Sequence, residues 1–177
     1  RCLGVDCIRV LKNELKRMIT MKALVLLSGG VDSATCVGMA VHQYGSGNVI
    51  PLSIAYGQKD FKEIEAARSI AAYYGIEWIQ LDLSKIFASS RSSLMAHSEK
   101  EIEKISYALQ IEQSDGQPVS TYVPFRNGLF LSSAASLALS KDCSVIYYGA
   151  HRDDAAGKPY PDCNETFNEA IKKAKFF

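Results

Sequence analysis

The 177 residues are 47% hydrophobic and 22% charged, with a formal net charge of +1 at pH 7. That is the balance of a soluble globular domain with a continuous core, without the basic excess of a protein built to grip a nucleic-acid backbone. No apolar run reaches the roughly 18 residues needed to cross a bilayer. The five cysteines, an odd number with no CxxC pair, outline neither a disulfide framework nor a zinc knuckle, so a reducing, cytoplasmic setting is expected.

Residues 1–20 carry Ile8, Leu11, Leu15 and Met18 at helical spacing, with Lys and Arg on the other face. An amphipathic helix is expected there. The segment has neither the apolar core nor the small-residue cleavage site of a secretory signal. Met21-Lys22-Ala23 reads as a natural start, so residues 1–20 are taken as an extension ahead of a domain over 21–177.

From Lys22 onward, short apolar or β-branched runs alternate with longer helical periodicities, the rhythm of an α/β fold: a parallel sheet with crossover helices on both faces. Strands are expected at 23–27, 49–56, 77–82 and 144–148. Helices are expected near 31–44, 60–75 and 127–141, with a last one over 164–175. Gly45, Gly47 and Gly75 fall where helices should end. Right-handed crossovers would gather the strand-to-helix turns on one edge, where such sheets bind ligands. Between Ser84 and Tyr122 the periodicity weakens through Ser89, Ser90, Ser92 and Ser93, a charged stretch at 99–112 and the turn residues Ser114 to Pro118. A segment this long outside the rhythm is expected to be a lid, a binding insertion or partly disordered.

The first strand leads into Leu27-Ser28-Gly29-Gly30-Val31-Asp32-Ser33. A strand that turns through two glycines into a helix aims backbone N–H groups and the positive helix end at one point, which suits an anion. Ser28 and Ser33 add hydroxyls. No lysine follows the glycines, so this is not a Walker A loop, and neither GxGxxG nor GxSxG is present. On spacing alone, a plain turn with Ser28 or Asp32 capping the helix explains the stretch as well as an anion site does.

SGGVDS resembles the SGGxDS pyrophosphate loop of the N-type ATP pyrophosphatases, which cleave ATP between the α- and β-phosphates to adenylate a substrate. Three further stretches follow in order: Tyr56-Gly57-Gln58, Val123-Pro124-Phe125-Arg126-Asn127, and Tyr160-Pro161-Asp162-Cys163. Together the four resemble the pattern of the 7-cyano-7-deazaguanine synthases of the queuosine pathway, over residues 22–175. The resemblance implies a sheet of the adenine nucleotide alpha hydrolase-like type. It also implies conversion of 7-carboxy-7-deazaguanine, ammonia and ATP into the nitrile preQ0, through an adenylated acid.

On that reading Leu27, Ser28, Gly29, Gly30, Val31, Asp32 and Ser33 bind ATP, and Asp32, Ser33 and Arg126 are catalytic, with magnesium near Asp32. Arg126, Asn127, Asp154, Tyr160 and Asp162 bind the substrate, Asp162 offering a bidentate acceptor to the ring N–H and amine of the base. Asp162 as a mere cap of the last helix, and Arg126 as a surface cation, remain the alternatives. Asp153 is a second candidate for base or magnesium, and His151 for proton transfer. Tyr56 and Tyr122 are placed against a base or simply in apolar packing. Cys163 receives no catalytic step. The partners expected are the small acid and ammonia, with a homodimer left open and neither nucleic acid nor membrane required. Rival readings are another amide-forming or tRNA-modifying ATP pyrophosphatase, or a non-catalytic nucleotide-binding relative.

Three departures stand out against the pattern. Lys59-Asp60 stands where many members of the family have Arg-His, and Phe125 where they have glycine. The family's C-terminal zinc-binding cysteine cluster is not in this chain, so zinc is expected in the family but its ligands are missing here, and 21–177 is read as lacking that part.

Overall fold

The computed structural model describes residues 21–102, 109, 119–150 and 160–174. The expected helix at 1–20, most of the charged stretch at 99–112, and His151, Asp153 and Asp154 lie outside the described residues. Strand β1 spans Lys22–Leu26, helix α1 Val31–Tyr44, β2 Val49–Ala55, α2 Lys62–Tyr74, β3 Ile79–Asp82, α3 Arg126–Ser140, β4 Cys143–Tyr147 and α4 Glu165–Lys173. The four strands form one parallel sheet in the order β3-β2-β1-β4.

The alternation in β1 assigns its residues to two cores. Ala23, Val25 and Leu27 pack with Val37 and Ala40 of α1 and with Ala67 and Ala71 of α2. Leu24 faces the other way, with Leu52 and Ile54 of β2 and with Ala134 and Ala138 of α3. Helices therefore cover both faces, as a parallel sheet requires. Small alanines on α2 and α3 let the helices lie close to the sheet. The chain reverses its direction of strand addition between β1 and β4, and the crevice outside the strand ends at such a point is where these sheets take ligands.

Most boundaries fall within a residue or two of those read from the sequence. The second crossover helix begins later than expected because the Asp60 carboxylate accepts the backbone N–H of Lys62 at 2.9 Å, holding the chain in a side-chain turn ahead of the helix. It ends at Gly75, whose φ of 65° closes the left-handed cap.

The described part of the irregular segment after β3 is packed rather than loose. Met95 is fully buried and joins Tyr56, Phe87 and Val123 in a third apolar cluster. Two backbone bonds tie it to the end of β2: Lys59 N–H to Leu94 O at 2.8 Å and Ala96 N–H to Gly57 O at 2.8 Å. Among the described residues no helix is long and apolar enough to cross a membrane.

Candidate active site

At the C-terminal edge of the sheet lies a cavity of about 320 Å³. Its walls include Leu26, Leu27 and Ser28 after β1, Leu52 and Ile54 of β2, and Tyr148 and Gly149 after β4. Arg126, Asn127 and Phe130 of α3 and Glu63 of α2 complete it, and Leu94 and Ile102 bring in the irregular segment. An apolar slot with a few convergent polar groups is the usual form of a small-molecule site.

The turn from β1 into α1 is held by its own hydroxyls. Ser33 Oγ donates to Gly30 O at 2.9 Å and accepts from Ser28 N–H at 3.2 Å, while Gly30 N–H donates to Ser28 Oγ at 3.3 Å. Gly30 is the cap residue of α1 and no side chain caps the helix. The plain capping role considered for Ser28 or Asp32 is therefore not what the hydroxyl and carboxylate do. The helix's first-turn N–H groups have no intrahelical carbonyl to meet, which leaves the positive end directed outward.

Gly29 has a φ of 95°, and a Cβ there would stand 2.2 Å from the carbonyl oxygen of Glu63. No other residue fits, because both the angle and the space exclude a side chain. The close approach fixes the loop against the first turn of α2. The base of the loop is tied as well: buried Ser53 donates to Leu27 O at 2.6 Å and accepts from Trp78 Nε1 at 2.8 Å.

Of the residues expected from the sequence, Leu27, Ser28, Ser33, Arg126 and Asn127 line the cavity. Val31 and Asp32 lie exposed on the first turn of α1, beside rather than within its walls. Gly149, after β4, passes close to Asp32: a Cβ at 149 would lie 2.9 Å from Asp32 Cβ. The negative charge of Asp32, after burial, helps push the Cys36 thiol above its usual range.

Arg126 is half-buried, not a surface cation. Its Nη1 donates to Tyr56 Oη at 3.2 Å, and its guanidinium carbon lies 5.3 Å from the Tyr56 ring centroid and 6.0 Å from that of Phe130. No carboxylate among the described residues pairs with it within salt-bridge distance. The result is a positioned, unneutralised cation facing the cavity. Tyr56 packs edge-on to Phe87 and tilted against Phe130, so its ring is part of the wall's apolar support. Burial raises its phenol, an effect that Arg126 opposes.

Asn127 and Asp162 meet across 35 residues of chain. Asp162 Oδ2 accepts the Asn127 backbone N–H at 2.7 Å, and Asn127 Nδ2 donates to Asp162 O at 3.3 Å and to Cys163 Sγ at 3.0 Å. The alternative cap role is corrected in one respect: Asp162 serves the start of α3, whereas α4 is capped by Asn164, which accepts from Phe167 N–H at 2.7 Å. Tyr160 meets Thr121 through their hydroxyls at 2.6 Å and lies near the Tyr122 ring, with centroids 6.3 Å apart. Tyr122 Oη accepts the Phe125 backbone N–H at 3.0 Å, so Tyr122 too is part of the scaffold ahead of α3. Asp162 and Cys163 are both buried.

Two residues of the wall carried no role in the sequence reading. Tyr148 hydrogen-bonds to Asn168, and burial followed by the negative neighbours Cys163 and Asp162 raises its phenol to about 12. Glu63 is exposed on the first turn of α2 and has no hydrogen-bond or ion-pair partner among the described residues. Its signal in the sequence was an acid in the first turn of a helix, which reads as ordinary dipole complementarity. Among the described residues no group of three or more His, Cys, Asp or Glu side chains is arranged to hold a metal.

A family model described as "Queuosine biosynthesis protein QueC" matches residues 22–176. The 7-cyano-7-deazaguanine synthase of Methanospirillum hungatei is 38% identical over 159 residues, covering 86% of this chain and 66% of that protein. The 7-cyano-7-deazaguanine synthase 2 of Desulfitobacterium hafniense is 40% identical over 152 residues, covering 86% of this chain and 59% of that protein. The chain thus spans roughly three-fifths to two-thirds of the length of the curated relatives it matches. An NH3-dependent NAD synthetase from Campylobacter jejuni superposes with a TM-score of 0.51 at 16% identity, covering 94% of this chain and 73% of that one, and shares the fold. The four ordered motifs, the switch-point cavity that three of them line and the match over residues 22–176 have one explanation: the chain belongs to the QueC family.

Proposed function

We propose that the protein is an ATP-dependent carbon–nitrogen ligase of queuosine biosynthesis, converting 7-carboxy-7-deazaguanine and ammonia into 7-cyano-7-deazaguanine. The observation that carries this reading is the facing pair of features in one cavity. The hydroxyl-braced loop at Ser28 and Ser33 stands on one side, and the unneutralised Arg126 on the other. Family membership supplies the substrate.

A carboxylate is a poor electrophile, and transfer of AMP to it creates a leaving group. The loop from Leu27 to Ser33 holds the pyrophosphate end of ATP with its helix-start N–H groups and hydroxyls, and Arg126 meets the charge that develops on the α-phosphate or the substrate carboxylate. Ammonia then yields an amide, and a second activation of the amide oxygen at the same site leads to the nitrile. Asp162, with the oxygen that Asn127 does not use, accepts from the ring N–H and amine of the base, beside Asn127 and Tyr160. Asp154 belongs to the same set. Magnesium carried by phosphates needs only one or two protein carboxylates, and Asp32 beside the loop fits that donor count. It neutralises phosphate charge when bound.

Incubation with ATP, 7-carboxy-7-deazaguanine and ammonium tests the reading. The expected products are preQ0, AMP and pyrophosphate. ATP binding without turnover, or turnover with a different acid, refutes it.

A further inference from the structure

One of the four motifs has a member that the reaction as described leaves idle. Gln58, of Tyr56-Gly57-Gln58, lines the cavity and is only 4% exposed. Gly57, at a φ of 83°, turns the chain after β2, and the Gln58 side chain folds back so that its Oε1 accepts the Tyr56 N–H at 2.9 Å. The backbone here is pinned as well: Gln58 bridges Met95, Lys59 N–H donates to Leu94 O and Ala96 N–H to Gly57 O.

The bond to Tyr56 settles which way the amide faces. A flip would set its NH2 group against a backbone N–H, donor against donor, so the nitrogen is the end turned away. Among the described residues nothing bonds to Nε2. Nor is it sealed in, since the fully enclosed side-chain atoms without a partner among the described residues are Ser93 Oγ and Ser120 Oγ. The cavity wall therefore carries a fixed group that can donate hydrogen bonds and cannot accept one. A buried donor left unmet costs about 1–3 kcal/mol, which favours a ligand that brings an acceptor.

The surroundings narrow the acceptor. Ile54, Tyr56 and Leu94 belong to this flank of the wall, an apolar setting that suits a ring rather than a phosphate. The sheet order β3-β2-β1-β4 puts this flank, after β2, across β1 from Tyr148, which follows β4 and feels the charge of Asp162. On the ligase reading, on which this inference rests, the phosphates lie over β1 and the acid toward β4, which leaves the β2 side to the nucleoside. The deep end of a slot meets the edge of the base farthest from the sugar. In adenine that edge carries N1, an acceptor, whereas in guanine the same position is an N–H donor. We propose that Gln58 Nε2 donates to adenine N1 and so selects ATP over GTP.

Calorimetric titration of the wild type and Gln58→Met with ATP, 1-deaza-ATP and pyrophosphate tests this. The analogue has C–H in place of N1 and is otherwise ATP. The wild type should bind it about tenfold more weakly than ATP, on the scale of one buried hydrogen bond. The variant should bind the two alike and keep its pyrophosphate affinity. Equal affinities in the wild type overturn the proposal, as does a gap that persists in the variant. Loss of pyrophosphate binding in Gln58→Met would mean that the Tyr56 N–H needs its acceptor, and Gln58→Glu then decides. That variant keeps an oxygen for Tyr56 and turns the donor into an acceptor. Its ratio of ATP to GTP affinity, in which the new charge acts equally on both triphosphates, should fall about tenfold. An unchanged ratio overturns the proposal. The ligase reading has its own readout: a wild type that binds ATP but forms no preQ0 and AMP with the acid and ammonium refutes that reading, whereas the affinities judge Gln58.

Discussion

The ring of Phe125 fills the space that a Cβ on Gly128 would need, its nearest carbon 2.4 Å from that point. Phe125 also holds a φ of 54°, a left-handed angle that costs a residue with a side chain about 1 kcal/mol or more. Its ring packs edge-on to Phe167 of α4 at 6.2 Å between centroids, which ties α4 to the start of α3 where Arg126 and Asn127 stand. A glycine at 125 would remove both the strain and the tie.

Phe125 and Gly128 are therefore expected to be energetically coupled. Gly128→Ala should cost about 1–3 kcal/mol of stability by overpacking. In a Phe125→Gly background most of that cost should vanish, while Phe125→Gly alone should be close to neutral, strain relief offsetting the lost ring contact. Urea denaturation of the four proteins in the cycle measures this. An equal cost for Gly128→Ala in both backgrounds would refute the coupling.

Asp162 is expected to have separable structural and binding roles. Asp162→Asn retains an oxygen to accept the Asn127 N–H, so stability should hold, whereas Asp162→Ala leaves that donor unmet and should cost about 1–3 kcal/mol. Asn presents an amide donor where the base requires an acceptor, so affinity for 7-carboxy-7-deazaguanine should fall more than affinity for ATP. Calorimetric titration with each ligand decides. Unchanged affinity for both in Asp162→Asn means the carboxylate serves α3 alone.

The core was readable in advance because it is local. Alternation in Ala23, Leu24 and Val25 and the helical spacing over Val31–Tyr44 express periodicities set by the backbone itself. The hydroxyl bonds inside the loop Ser28–Ser33 were readable for the same reason, since Ser28, Gly30 and Ser33 lie within six residues. What escaped depends on distant chain. The role of Asp162 at α3, the support of Ser53 by Trp78 and the isolation of Glu63 are set by elements that meet only after folding. The irregular segment around Met95 showed no period because its apolar residues bury singly, against Tyr56 and Val123, rather than as one face.

Asp32 is exposed at the start of α1, so Asp32→Ala should leave stability within about 0.5 kcal/mol of the wild type. Turnover should nevertheless be lost, and affinity for magnesium pyrophosphate should drop about tenfold, on the scale of one charge-assisted contact. Titration with pyrophosphate, with and without magnesium, separates the metal's share from the loop's. Normal turnover in this variant would refute the pyrophosphate-loop assignment.

The tyrosines that follow one another at the end of β4 make stability fall at high pH. Tyr147 donates to Gln43 Oε1 at 2.9 Å and lies 3.3 Å from the Tyr44 hydroxyl; burial first, then that hydroxyl, raises its phenol to about 12. Tyr148 is likewise raised to about 12, by burial and the negative charges nearby. A phenol ionises by losing its proton, so a raised value means that the folded state holds the proton more tightly than the unfolded state, where it leaves near pH 10. The stabilisation is complete below about pH 10 and is lost as pH rises through about 12. Urea midpoints should therefore decline across that window. Tyr148→Phe, which has no phenol to ionise, should flatten the decline. Lysines and cysteines that titrate in the same range are common to both proteins, so the difference in slope isolates Tyr148. Identical slopes would show that its hydroxyl ionises as readily in the folded protein as in the unfolded chain, and would remove it from the wall as a buried group.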